Sequence, residues 1–282
     1  MNYTVLLYYN YVTLPDPEAE RVWQRQLCEQ LDLKGRILLA TEGINGTVAG
    51  SKSATDDYMA AMASHAQFAT TEFKIDTYDK MPFPRLSIKV RPEIVTLGVN
   101  VDPAATAPKL TAEQFNELIT DPNMVLFDAR NNYESAIGKF KGALTPDISL
   151  FKDFPEALDD YEDLKDKTII TYCTGGIRCE KASALMLQRG FSKVYQLDGG
   201  IIKYAQKYPE GAFEGNCFVF DERMSVAFSD DPEVLSNCVF CEAPTSHYQN
   251  CANPRCHKLM LVCEDCTQTT KTCSQICANI LV

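Results

Sequence analysis

Thr4–Val12 is a run of aromatic and β-branched residues, and this pattern predicts a strand. Helical spacing follows. Ala19, Val22, Trp23, Leu27 and Leu31 predict a helix over Pro17–Leu31, with Asp16 as its N-cap and Pro17 at the first helical position. Arg36–Ala40 reads as a strand, Glu42–Thr47 as a glycine-containing hairpin turn and Thr47–Ala49 as the return. A helix over Ala54–Ser64 and a strand over Glu72–Asp76 complete a β-α-β-β-α-β order, and Arg85–Val90 reads as another strand. That order predicts a ferredoxin-like α+β sandwich over residues 1–97.

Periodicity lapses over residues 98–109, whose Pro, Ala and Gly content reads as a linker. It resumes over residues 110–208 as short apolar strands alternating with helices. Thr111 caps a helix containing Phe115, Leu118 and Ile119, and strands are predicted at Met124–Phe127, Lys167–Tyr172 and Lys193–Leu197. Glu180–Arg189 reads as a helix stopped by Gly190. This alternation predicts an α/β domain on a parallel sheet. Residues 209–282 change character, to a connecting segment and then a cysteine-rich module.

Composition narrows the classes. The chain has 282 residues and a net charge of −11, which argues against generic nucleic-acid binding. The acid excess is uneven, however. Residues 1–100 carry 10 basic against 12 acidic side chains, so a local basic surface remains open there. No apolar run is long enough for a membrane span, and the first residues read as a strand instead of an export leader. A cytoplasmic protein with no membrane association is expected. Eight of the 12 cysteines follow residue 237 in close pairs, which favours metal binding over disulfides.

The sharpest chemistry lies at residues 173–178, Cys-Thr-Gly-Gly-Ile-Arg, between a buried strand and a helix. Gly175 and Gly176 let the backbone curl so that successive N–H groups converge, forming an anion nest at a helix N-terminus. Such a field favours a thiolate at Cys173, and Arg178 adds positive charge. Cysteine phosphatases place five residues between Cys and Arg, whereas only four separate Cys173 from Arg178, which suits a smaller anion than phosphate. Cys179 can be read as a resolving thiol for an oxidised Cys173 or as a small packing residue.

These residues carry a resemblance. Asp128-Ala129-Arg130, Glu134, Gly138, Gly142-Ala143 and Leu197-Asp198-Gly199-Gly200-Ile201 resemble the rhodanese pattern, with Tyr204 where many rhodaneses have Trp. Asp128 and Arg130 at a strand end are expected beside the Cys173 loop, as supporting active-site residues or as a structural ion pair. The likeness extends over nearly the whole chain. Arg36–Thr47, Asn131–Glu134, Phe140–Ala143, Cys173–Lys181 and Phe218–Arg223 resemble the rhodanese-domain tRNA uridine hydroxylase family. That resemblance implies a tRNA substrate, O2 as co-substrate, 5-hydroxylation of the wobble uridine and Cys173 as the catalytic cysteine.

Two further features bear on this. Arg85-Leu86-Ser87-Ile88-Lys89-Val90-Arg91 alternates, placing Arg85, Lys89 and Arg91 together on one face as candidate phosphate contacts or as an ordinary solvated face. Glu42 and Asn45 are further candidate RNA contacts. The pairs Cys238-x2-Cys241, Cys251-x4-Cys256, Cys263-x2-Cys266 and Cys273-x3-Cys277 supply ligands for two structural zinc ions, bound by pairs in sequence or interleaved. His257 could replace one cysteine, and iron–sulfur ligation is the lesser alternative.

No flavin or haem motif is evident, and the three histidines, His65, His247 and His257, make a non-haem iron centre improbable. No obligate protein partner is evident. The competing readings are a rhodanese-type sulfurtransferase with a Cys173 persulfide and a non-catalytic RNA-binding adaptor.

Overall fold

The alternation in the first strand has a direct structural outcome: Leu6 and Tyr8 turn into a helix-covered core, while Leu7 and Tyr9 turn to the opposite sheet face. The computed structural model describes residues 2–280. Its first region runs β1 (Tyr3–Tyr11), α1 (Pro17–Gln30), β2 (Lys34–Ala40), β3 (Gly43–Gly50), α2 (Lys52–Ser64), β4 (Glu72–Tyr78) and β5 (Leu86–Val90). The sheet order is β4-β1-β3-β2-β5, with β5 parallel to β2 and the other pairs antiparallel. This is the ferredoxin-like arrangement with one strand added at an edge. Asp16 caps α1 by accepting the N–H groups of Glu18 and Ala19.

Two local expectations change. The buried face of α1 centres on Gln24 and Cys28, and Ala19 and Val22 are exposed. A polar Gln can occupy the core because it accepts the Tyr58 hydroxyl at 2.7 Å, which removes the cost of an unpaired amide. Gly43-Ile44-Asn45-Gly46 is not the turn. The turn is Thr41–Glu42, and the glycines lie within β3, the middle strand of the sheet. A Cβ on Gly46 would fall 2.4 Å from the Tyr8 ring, so the glycine there serves close packing.

The stretch before the second sheet packs against it: Thr106 and the N–H of Ala107 bond Ser183 at 2.9 and 3.0 Å. Then come β6 (Lys109–Leu110), α3 (Ala112–Leu118), β7 (Met124–Asp128), α4 (Asn132–Ile137), β8 (Gly138–Phe140), α5 (Phe154–Ala157), β9 (Thr168–Tyr172), α6 (Ile177–Gln188), β10 (Lys193–Leu197) and α7 (Gly200–Lys207). The sheet order β6-β10-β9-β7 is parallel throughout. Phe127 and Ile169 pack on one side of it with Phe154, Met186 and Phe191. Leu126 and Ile170 pack on the other with Phe115, Phe140 and Tyr204. Thr111 and Gln114 form a capping box on α3.

The remainder is made of short hairpins and helices: β11 (Phe213–Gly215), β12 (Cys217–Phe218), β13 (Ser225–Val226), β14 (Tyr248–Asn250), β15 (Leu259–Leu261), α8 (Glu264–Thr269) and α9 (Gln275–Asn279). This region docks on α4. Tyr248 donates to the Tyr133 carbonyl at 2.6 Å, and Ser236 donates to that of Ala136 at 2.7 Å. No helix among the described residues is long and apolar enough to cross a membrane.

Candidate active site

Cys173 directly follows β9, and the loop it opens turns into α6. Gly176 sits at φ +100°, a conformation that favours glycine, and a Cβ there would also fall 2.9 Å from the Tyr9 hydroxyl. The turn brings the Gly176 N–H to 3.1 Å from the Cys173 Sγ. Burial alone would push this thiol up. It is outweighed by the Cys179 thiol, the Arg178 charge and the N–H groups of Arg178 and Gly176, which bring it down to about 6. The Cys179 thiol is raised well above its ordinary value, by burial and by its bond to Cys173, so it stays protonated as the donor. Burial also pushes Cys28 and Cys217 up to about 12. Of these four buried cysteines only Cys173 is activated.

Arg178 is not a free cation above the loop. Its guanidinium grips Glu134 through two bonds, at 2.5 and 2.8 Å, and both side chains are buried. Glu134 also closes the capping box of α4 with Asn131. It is the site residue that a charge-and-loop reading of the sequence misses. The pattern Asn-x-x-Glu before an apolar stretch marks the cap but not the partner 44 residues away. The fork fixes the first turn of α4 to the first turn of α6, so the nest is held in shape.

Asp128 and Arg130 form a second fork one layer below. Arg130 reaches Asp128 at 2.6 to 3.1 Å and donates to the Gly138 carbonyl at 2.7 Å. Both are buried against Tyr172 and Phe213, and neither lines the cleft above Cys173. They fasten the end of β7 to β8.

Cys173 lies at the floor of a cleft of about 380 Å³ whose opposite wall is the N-terminal sheet. Gly175 packs against Leu7, and the lining includes Arg36, Arg91, Asn45, Thr47, Arg178 and Phe220. The register explains the composition. Lys74, Leu7, Thr47, Arg36 and Ser87 lie in one row across the sheet, and Glu72, Tyr9, Asn45, Leu38 and Lys89 lie in the next. These rows occupy the face that carries no helix. Arg85, Lys89 and Arg91 are all exposed, and Arg91 reaches the cleft. Asn45 donates to the Ile94 carbonyl, and Glu42 accepts from the Ile94 N–H and from Lys181, so their polar atoms hold the cleft wall together.

Between the two domains, Tyr9 donates to Glu180 at 2.9 Å and Tyr11 to the Ile177 carbonyl at 3.3 Å. Burial first, and neighbouring carboxylates second, raise both phenols, so they act as neutral donors.

In the C-terminal module the four pairs interleave. The Sγ atoms of Cys238, Cys241, Cys263 and Cys266 form one group, those of Cys251, Cys256, Cys273 and Cys277 the other, each within 4.8 Å of one another. His257 belongs to neither group. Each set of four thiol sulfurs can hold a metal ion.

Comparison with known proteins agrees with this layout. Residues 3–94 match the UPF0176 acylphosphatase like domain, residues 111–207 the Rhodanese-like domain and residues 214–278 the family described as Rhodanase C-terminal. A protein of Pseudarthrobacter chlorophenolicus named tRNA uridine(34) hydroxylase is 43% identical, with 95% of each chain covered. A Corynebacterium jeikeium protein of the same name is 43% identical over 98% of this chain and 96% of its own. A Rhodococcus opacus one is 44% identical over 94% and 97%.

Proposed function

We infer the activity from membership: the chain belongs to the tRNA uridine(34) hydroxylase family, and it hydroxylates the wobble uridine of tRNA at carbon 5. Cys173 is the nucleophile at the base, and O2 is the co-substrate. The observation that carries this reading is the cleft, which sets an activated thiolate opposite a basic, helix-free sheet face. A sulfurtransferase for small anions needs no such second wall.

Each residue takes a role in this proposal. Gly175 and Gly176 shape the nest, Cys179 donates to the Cys173 thiolate, and Arg178 supplies charge while Glu134 fixes it. Asp128 and Arg130 act as positioning residues through β7 and β8. Arg85, Lys89 and Arg91 contact tRNA phosphates along the sheet edge, where they set orientation and affinity.

Zinc fits the two cysteine groups. A tetrahedral site with Zn–S bonds of about 2.3 Å spaces its sulfurs by roughly 3.8 Å. The Cys241–Cys263, Cys256–Cys273 and Cys273–Cys277 sulfurs lie 3.5, 3.7 and 3.5 Å apart. With four protein ligands each, the ions would be structural, staple a module too small for its own core, and supply no open position. The cytoplasm, where tRNA is modified and thiols stay reduced, is the compartment this reading implies.

The test is mass spectrometry of tRNA from cells lacking the protein, complemented with the wild type or Cys173→Ser. Wild type restores 5-hydroxyuridine derivatives at position 34 and Cys173→Ser does not. Full restoration by Cys173→Ser would remove the nucleophile, and normal hydroxylation with lost thiolation would favour sulfur transfer.

A further inference from the structure

Phe220 lines the cleft at the end of Phe218-Val219-Phe220, whose residues have different fates. Phe218 and Val219 are buried, at 5% and 8% exposure, whereas Phe220 is 49% exposed. An exposed Phe in a loose loop would mean little, but this one is mounted rigidly. Val219 N–H bonds the Met224 carbonyl at 3.1 Å, and Glu222 N–H bonds the Pro82 carbonyl of the N-terminal domain at 3.0 Å. Arg223 holds Asp221 through two bonds, at 2.9 and 2.7 Å, and reaches Asp76 at 2.6 Å. The Phe220 ring leans on Phe218, with centroids 5.2 Å apart, and stands 5.8 Å from the Arg178 guanidinium. It therefore presents a fixed apolar surface to the same cleft whose floor is Cys173.

A second observation comes from the opposite wall. Six of the ten arginines are ion-paired: Arg21, Arg25, Arg130, Arg178, Arg189 and Arg223. Arg36 lines the cleft, is exposed, and has no acidic partner among the described residues. Arg91, in the same cleft, is likewise exposed and without an acidic partner among the described residues. On a chain of net charge −11, two uncompensated guanidinium groups in one cleft with an exposed aromatic ring point to an anionic, aromatic ligand.

We propose that Phe220 is the platform on which the extruded nucleobase stacks and that Arg36 grips its flanking phosphate. A base stacked in an RNA loop cannot present its ring to a fully buried thiol. It must leave the stack, and the lost stacking is replaced by an aromatic side chain at the entrance. Arg223 is then a positioning residue, which keeps the ring presented. This assignment rests on the wobble-uridine reading above.

The experiment uses the full chain and two synthetic anticodon stem-loops, one with uridine at position 34 and one abasic there. Wild type prefers the uridine RNA by roughly 5- to 150-fold, the range for one base on one ring. Phe220→Ala binds both RNAs as wild type binds the abasic one, and Phe220→Tyr keeps the preference. Arg36→Gln weakens binding to both RNAs equally and reduces the salt slope by about one. A folded Phe220→Ala protein that retains the full preference overturns the platform, and an unchanged salt slope in Arg36→Gln overturns the phosphate grip. Wild type that hydroxylates whole tRNA yet binds both stem-loops alike also overturns the platform and leaves the activity standing. Wild type that neither binds nor hydroxylates takes both readings down.

Discussion

Lys181, on the first turns of α6, leaves its own domain and places its ammonium 2.6 Å from Glu93 and 2.8 Å from Glu42, both in the N-terminal domain. It also donates to the Val95 carbonyl at 3.1 Å and is almost fully buried. Burial would raise Glu93, but the bonds from Lys181 and from the Leu97 and Gly98 N–H groups, with the Lys181 charge, hold it below the ordinary carboxylate range. The contact thus latches the cleft's far wall to the helix that follows Cys173. Lys181→Met leaves two carboxylates facing each other without a counterion. It is expected to lower stability by about 3 kcal/mol and to depress kcat/KM. A denaturation midpoint equal to wild type would rule the latch out. Because the Glu93 pKa is lowered on folding, its contribution is complete above the ordinary carboxylate range and is lost as pH falls through the lowered value.

The thiol at about 6 makes a kinetic prediction. Thiolate reacts and thiol does not, so alkylation of Cys173 by iodoacetamide should rise with pH to a plateau, with its midpoint near 6. Peptide mass spectrometry reads this residue separately from the others. Cys179→Ala removes a donor to the thiolate, so the midpoint should move to higher pH. An unmoved midpoint would mean that Cys179 is only packing.

The Glu134–Arg178 fork invites Glu134→Gln, which keeps the shape and removes the charge. Leaving the buried Arg178 with a neutral partner is expected to cost about 3–5 kcal/mol and to leave its charge uncompensated beside Cys173. Urea denaturation measures the first effect, and the alkylation midpoint, shifted downward, measures the second. A variant as stable as wild type would show that Arg178 finds another acceptor.

The interleaved cysteines predict metal content. Wild type should carry two ions per chain. Cys241→Ser alone, or together with Cys263→Ser, should leave one, because both residues serve the same site. Cys241→Ser with Cys256→Ser should leave none. One ion retained in that last variant would indicate pairing in sequence order instead. Chelation should also loosen the Cys173 loop, since the module rests on α4 through Tyr248 and Tyr133, and α4 carries Glu134.

The contrast between β5 and β3 shows how far local pattern reaches. Leu86, Ile88 and Val90 alternate with Ser87 and Lys89, and alternation alone assigns their faces because a strand has a period of two. Gly43 and Gly46 read as a turn because glycine is the residue of turns. Only the approach of Tyr8 to Gly46 reveals a strand packed too closely for a side chain.

By itself, the sequence determined the elements that depend on neighbours in the chain: the Asp16 and Thr111 caps, the alternating strands, the nest at Gly175–Gly176 with Cys173 at its centre, and the eight cysteines in pairs. Tertiary structure alone decided what depends on residues far apart. It paired Arg178 with Glu134, crossed the cysteine pairs, left Asp128 and Arg130 out of the cleft, and brought Arg36 and Phe220 into one cleft with Cys173. The physical reason is that a cap, a turn or a period is fixed by sterics within a few residues, whereas a buried charge takes whichever partner the packed sheets bring within bonding distance.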